Sequence, residues 1–104
     1  KEINKNSLPV ILMGDFNTIP DSEPIKILEQ DMIDGLRISS KHLQGPQGTF
    51  NGFDVSNSIS KRIDYIFTKY FHVLSYHHIN DRLENNNHIS DHLAVMTRLR
   101  LLPR

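Results

Sequence analysis

The fold is decided first by the stretch PVILMGDFN at residues 9–17. Residues 9–13 form a short apolar run that ends at Gly14. A run of this kind predicts a strand that is buried on both faces of a sheet. Asp15 and Asn17 follow at once, so the sequence predicts a polar loop at the end of this strand.

One helix is predicted directly downstream of this loop. Asp21 or Ser22 can cap its first turn, and proline is tolerated near a helix start, as at Pro24. The helix should end before Gly35. Its apolar residues recur at helical spacing and form a single stripe, consisting of Ile25, Leu28 and Met32.

Alternating apolar residues predict three more strands, at residues 63–68, 71–79 and 93–101. Because residues 68–70 make a tight connection, the first two of these strands are expected to form a hairpin. Residues 39–61 are predicted to be a loop, interrupted by an extended piece at Thr49 and Phe50. Together these elements predict an α/β fold in which a helix covers one face of a mixed, mostly antiparallel sheet.

Composition excludes several classes of protein. The chain has 104 residues, 12 basic and 12 acidic, and no cysteine. Disulfides, thiolate zinc sites and thiol catalysis are therefore excluded. The sequence contains no apolar run long enough to cross a bilayer. A neutral charge gives no broad basic surface for duplex nucleic acid.

Polar residues at three strand boundaries suggest a catalytic site. Asp15 can orient a water molecule, and the Asn17 amide can bond an anionic oxygen. Asp64 can accept a hydrogen bond from one ring nitrogen of His92, which raises the histidine pKa. Asp91 can bind a hard cation such as Mg²⁺. Cation, activated water and imidazolium together predict phosphoester hydrolysis.

Simpler interpretations of the same residues stay open. The GDFN segment at residues 14–17 is also typical of a plain turn, and Asp64 can instead form a salt bridge with Arg62. A zinc site is disfavoured because adjacent histidines in a strand face opposite ways; its candidates are His77, His78, His88 and His92. A triad of Ser90, His92 and Asp64 is disfavoured because no glycine elbow surrounds the serine.

Three segments in this order resemble the endonuclease/exonuclease/phosphatase superfamily, which has the DNase I-like fold: GDFN at 14–17, RIDYIF at 62–67 and SDH at 90–92. GTFNGF at 48–53 is similar to a segment of bacterial members. The resemblance covers about residues 8–101 and only the C-terminal half of the family domain. It implies half of a four-layer α/β/β/α sandwich, with residues 1–104 forming the C-terminal portion.

The resemblance also implies roles for individual residues. Asp15 looks like the aspartate that positions water, and Asn17 like its neighbour that contacts the phosphate. Asp64 looks like the partner of the catalytic His92, while Asp91, with Asp15, looks metal-associated. The implied cofactor is Mg²⁺ or Mn²⁺, and the implied substrate is a nucleic acid or a small phosphoester.

Two expectations follow about the chain by itself. The family's N-terminal half supplies a metal-binding glutamate and asparagine, so we expect residues 1–104 alone to be weakly active or inactive. The uncovered sheet should then associate with that half or with another copy. The alternative to a metal-dependent hydrolase is a non-catalytic binding module that retains the fold.

Overall fold

The computed structural model describes residues 8–103. Within this range five strands and two helices follow one another: β1 (Val10–Asp15), α1 (Glu23–Glu29), β2 (Ile33–Asp34), α2 (Gly35–Ile38), β3 (Asp64–Lys69), β4 (Phe71–Ile79) and β5 (Ala94–Leu101). Among these described residues, every helix is too short or too polar to cross a lipid bilayer.

The strands form two antiparallel sheets within residues 8–103. The first sheet has the order β1-β3-β2, and the second pairs β4 with β5. The predicted α/β fold with mostly antiparallel strands is confirmed. The predicted hairpin between β3 and β4 is wrong, since the two strands belong to different sheets. At Phe67 and Thr68 both edges of β3 are already paired, by β1 and by β2, so no edge remains for β4.

Helix α1 packs against one face of the first sheet, as predicted. Ile25 and Met32 join Tyr65 and Phe67 in a buried cluster. The helix is shorter than expected because α1 ends at Glu29 and leaves Met32 to pack from the following turn. Ser22 is the N-cap residue, but its side chain forms no capping hydrogen bond in the described part of the chain.

Strand β1 is not buried on both faces, which corrects the sequence prediction. Val10 packs against the cluster under α1, whereas Ile11 and Met13 are 48% and 68% exposed. Within the described chain β1 is an edge strand that pairs only with β3, and no element covers its second face. An apolar run alone does not reveal how many layers cover it.

A β-bulge changes the side-chain alternation of β4. The register with β5 shifts between Val73 and Ser75, so one extra residue enters this strand. Val73 is buried, and so are Tyr76 and His78, which lie at odd spacings from it. Uninterrupted alternation would put Val73 and Tyr76 on opposite faces, and the bulge brings both of them to the buried face.

The extended piece at Thr49 and Phe50 pairs with two segments that are distant from each other in the sequence. Phe50 forms antiparallel bridges with both Lys61 and His92. Thr49 is fully buried, and its carbonyl accepts a hydrogen bond from the Leu93 backbone N–H at 2.7 Å. The interrupted loop thus joins the start of β3 to the segment that precedes β5.

Candidate active site

Two carboxylates face each other where β1 and β3 meet. Asp15, the last residue of β1, is the direct antiparallel partner of Asp64, the first residue of β3. Antiparallel partners have their side chains on the same face of the sheet, about 5 Å apart. Strand pairing therefore brings together two acidic residues that are far apart in the sequence.

His92 completes this cluster from the segment before β5. Its Nδ1 lies 2.8 Å from Asp64 Oδ2, and its Nε2 lies 3.7 Å from Asp15 Oδ2. The ring also packs edge-on against Phe50, with ring centroids 5.3 Å apart. The imidazole is thus held by hydrogen bonding on one side and by aromatic packing on another, while Nε2 faces Asp15.

The two carboxylates change the protonation of His92. The hydrogen bond from Nδ1 to Asp64 raises the pKa of His92 above its ordinary value, and the charges of Asp64, Asp15 and Asp91 add to this effect. Partial burial opposes it but does not reverse it. His92 is therefore more readily protonated than a free histidine, so Nε2–H is available to an anionic oxygen.

The loop after β1 is fixed by local hydrogen bonds. The Asn17 backbone N–H donates to Asp15 Oδ1 at 2.8 Å, and Asn17 has a φ of 52°. The Tyr65 hydroxyl donates to the Thr18 carbonyl at 2.8 Å, and burial raises the pKa of Tyr65 to about 12. The Asn17 side chain is exposed beside Asp15.

Gly14 has a different role from the close backbone approach that its small size suggests. A Cβ added at Gly14 would meet nothing within 4 Å, so space is not what demands glycine. Its φ of 153° is instead a conformation that L-amino acids rarely adopt. Glycine therefore permits the backbone geometry that leads from β1 into Asp15.

Sequence reasoning assigned no role to two residues that hold this corner together. The Thr49 hydroxyl accepts hydrogen bonds from the backbone N–H groups of Ile63 and Asp64, at 3.1 and 3.2 Å. Asn51 donates through Nδ2 to the Ser90 carbonyl at 3.0 Å and through its backbone to the Asp91 carbonyl at 2.8 Å. Both lie in the GTFNGF segment at residues 48–53, and the resemblance of that segment to the family was the signal that could have identified them.

Arg62 does not pair with Asp64, which overturns the simpler interpretation of that aspartate. Arg62 instead forms a buried ion pair with Asp34, in which Nη1 donates to Asp34 Oδ1 at 3.3 Å. The Arg62 guanidinium also lies 4.5 Å from the centroid of the Tyr65 ring. Asp64 is consequently left to bond His92.

The other histidines do not gather around His92. His78 Nδ1 lies 2.8 Å from the Pro46 carbonyl, and His88 Nε2 lies 3.1 Å from the Asp54 carbonyl. The Ser90 hydroxyl accepts a hydrogen bond from the His92 backbone N–H at 3.2 Å. In residues 8–103 the cluster with metal-binding potential is Asp15, Asp64 and His92, whose ligand atoms lie within 4.8 Å of one another.

The donor set fits a hard divalent cation at one corner of this cluster. Mg²⁺ binds through one or two carboxylates and keeps several waters. Asp15 is half-exposed and its Oδ2 faces His92 Nε2, while Asp64 Oδ2 is already bonded to His92. Asp15 and Asp64 line a shallow pocket beside this histidine, hereafter the cleft. Asp91 precedes His92 in the chain and its charge acts on that histidine, but its carboxylate is not part of the three-residue cluster found within residues 8–103.

The sequence profile of the Endonuclease/Exonuclease/phosphatase family matches residues 1–92. The chain belongs to this family. A search of curated protein sequences finds no match.

Solved structures agree with this family and with its DNase I-like fold. A protein of the endonuclease/exonuclease/phosphatase family from Bacteroides thetaiotaomicron is 31% identical, with a TM-score of 0.77 over 94% of this chain and 39% of that one. A mannosyl-6-phosphatase from Bacteroides thetaiotaomicron VPI-5482 is 29% identical, with a TM-score of 0.80 over 96% of this chain and 40% of that one.

A third similar structure is a functionally unknown conserved protein from Enterococcus faecalis V583. It is 25% identical, with a TM-score of 0.84 over 92% of this chain and 38% of that one. The chain thus spans about two fifths of the length of these three proteins, and in it the family fold carries the cluster of Asp15, Asp64 and His92.

Proposed function

We propose that this protein hydrolyses phosphoesters and that Asp15, Asn17, Asp64 and His92 form its catalytic group. The observation that carries the proposal is the placement of His92, bonded to Asp64 through Nδ1 and facing Asp15 through Nε2. Membership of the family and the likeness to a phosphatase support the same chemistry.

In this proposal His92 stabilises the negative charge that develops on the phosphoryl oxygens. Asp64 fixes the ring so that Nε2 points into the cleft, and it favours the protonated form. A preorganised cationic donor stabilises a transition state that gains negative charge. The exposed Asn17 amide adds a neutral donor beside it.

Asp15 is proposed to orient the attacking water and to accept its proton. One carboxylate oxygen is occupied by the Asn17 backbone N–H, so the carboxylate is held in one orientation. Oδ2 is the atom that faces the cleft. A general base needs this combination of fixed geometry and hydrogen-bond reach to the water.

The proposed cofactor is Mg²⁺ or Mn²⁺, with Asp15 as a ligand from within the cluster and Asp91, which lies outside that cluster, as a second ligand. A bound divalent cation supplies Lewis-acid stabilisation of phosphoryl oxygens. We expect hydrolysis of p-nitrophenyl phosphate, or of bis-p-nitrophenyl phosphate, by the protein at its full natural length. Treatment with EDTA should abolish the rate, and added Mg²⁺ or Mn²⁺ should restore it.

Asp15→Ala tests the catalytic assignment in the same assay. Loss of a general base reduces turnover by about 10² or more. The control is Asp21→Ala, which removes an exposed carboxylate that pairs with Arg37 instead. Equal rates for wild type and Asp15→Ala would refute the assignment, and binding without any turnover in the wild type would favour a non-catalytic module.

A further inference from the structure

The loop between β4 and β5 is a small, fixed hairpin beside His92. Arg82 and His88 form an antiparallel bridge, and the Leu83 backbone N–H donates to the Asn87 carbonyl at 2.9 Å. The Arg82 guanidinium is turned into the hairpin, where Nη1 donates to the Asn86 carbonyl at 3.1 Å. The asparagine run at residues 85–87 thus forms part of the turn of this hairpin.

A cavity of about 440 Å³ lies between this hairpin and the start of β5, and it reaches His92. Its apolar wall includes Ile79, Ile89 and Leu93, and its polar groups include Asp81, Ser90 and His92. This volume is within the range of small-molecule sites. Among the described residues that line it there is no lysine or arginine.

We infer that this cavity holds the organic group of a phosphomonoester, that the group is uncharged and rich in hydroxyls, and that Asp81 recognises it. The inference rests on the proposed function. A phosphomonoester has one organic group, so a cavity that shares His92 with the phosphate site receives that group. The carboxylate of Asp81 accepts hydrogen bonds from hydroxyls, and the aliphatic wall packs against carbon.

The charge and composition of the cavity disfavour other organic groups. An anionic organic group would meet Asp81 with no lysine or arginine among the described lining residues to balance it, because the imidazolium of His92 faces the phosphate in the proposed function. A nucleic acid strand needs cationic contacts to its phosphates. A quaternary ammonium group is recognised by aromatic faces, whereas the apolar wall here is aliphatic. A sugar phosphate is the class that fits.

Asp81→Ala tests this inference in the protein at its full natural length. We expect kcat/KM for mannose 6-phosphate to fall by about tenfold or more, mainly through KM, because a hydrogen bond to a charged group is lost. The rate with p-nitrophenyl phosphate, whose leaving group carries no hydroxyls, should change less than about twofold. Glu84→Ala is the matched control, since Glu84 is an exposed acid of the same hairpin that does not line the cavity.

The outcomes separate this inference from the proposed function. A wild-type protein inactive toward every phosphoester would overturn both. If the wild type is active and Asp81→Ala lowers kcat/KM equally for both substrates, or for neither, the inference alone would be overturned. Preference for phosphocholine or for an oligonucleotide over mannose 6-phosphate would overturn it too, because Asp81 would then not be selecting a polyhydroxyl group.

Discussion

His92 and His78 lie in two regions of the molecule that shift the pKa of a histidine side chain in opposite directions. His92 sits in the cleft, and its bond to the carboxylate of Asp64 raises its pKa. His78 lies inside the second sheet, 2% exposed, and burial lowers its pKa despite a hydrogen bond to the Pro46 carbonyl. The comparison shows that an ionised partner outweighs burial at a half-open corner, whereas a neutral partner does not in the interior.

Removing each imidazole should separate the two regions most strongly. His92→Ala is expected to reduce turnover of a phosphoester by about 10² or more, because a charge-stabilising donor is lost. His78→Asn, which keeps a donor for the Pro46 carbonyl, should leave the rate within about twofold. Steady-state kinetics on both variants measure the difference. If His78→Asn lost as much activity as His92→Ala, the distinction between the two histidines would be wrong.

Asp64→Asn should convert the environment of His92 toward that of His78. The pKa of His92 is raised in the wild type, so the active imidazolium persists to higher pH than in a free histidine and is lost as pH rises through that raised pKa. Without the carboxylate the pKa falls, and the alkaline limb of the rate profile should move to lower pH. At neutral pH we expect about a tenfold slower rate. An unchanged limb would contradict the role of Asp64; Asp21→Asn is the control.

The interior histidine should affect stability instead of rate. His78→Ala leaves the buried Pro46 carbonyl without its donor and should lower the free energy of unfolding by about 1–3 kcal/mol. Because the pKa of His78 is lowered in the folded state, its contribution is complete above the unfolded value near 6.5 and is lost as pH falls below it. Urea titrations at several pH values measure both effects, and His78→Asn should remove the pH-dependent part.

Local patterns in the sequence predicted the elements better than their pairing. The alternation of residues 63–68 and the stripe of Ile25 correctly placed β3 and α1. The hairpin prediction failed because adjacency along the chain says nothing about an edge of β3 that β2 already occupies. The bulge before Ser75 has no marker in residue type, so alternation along residues 71–79 does not by itself indicate which side chains of β4 are buried.

The same limit applies to the candidate site. Residue chemistry and motif order named Asp15, Asp64 and His92, which the structure brings within 4.8 Å of one another. The supports of that corner, such as the Thr49 hydroxyl and the Arg62–Asp34 pair, depend on contacts between distant segments. The residue type of Thr49 or Arg62 does not indicate which distant residue it contacts. Their supporting roles therefore could not be predicted from the sequence and are visible only in the structure.

The scattered origin of the corner has a kinetic consequence. The hairpin at residues 82–88 is closed by local contacts of the kind that form within microseconds, whereas His92 and Asp64 lie 28 positions apart and meet only after a long loop has closed. During refolding the imidazole of His92 should thus be among the last groups to acquire its native titration. The proton NMR signal of the His92 ring would therefore report when this last step of refolding is complete.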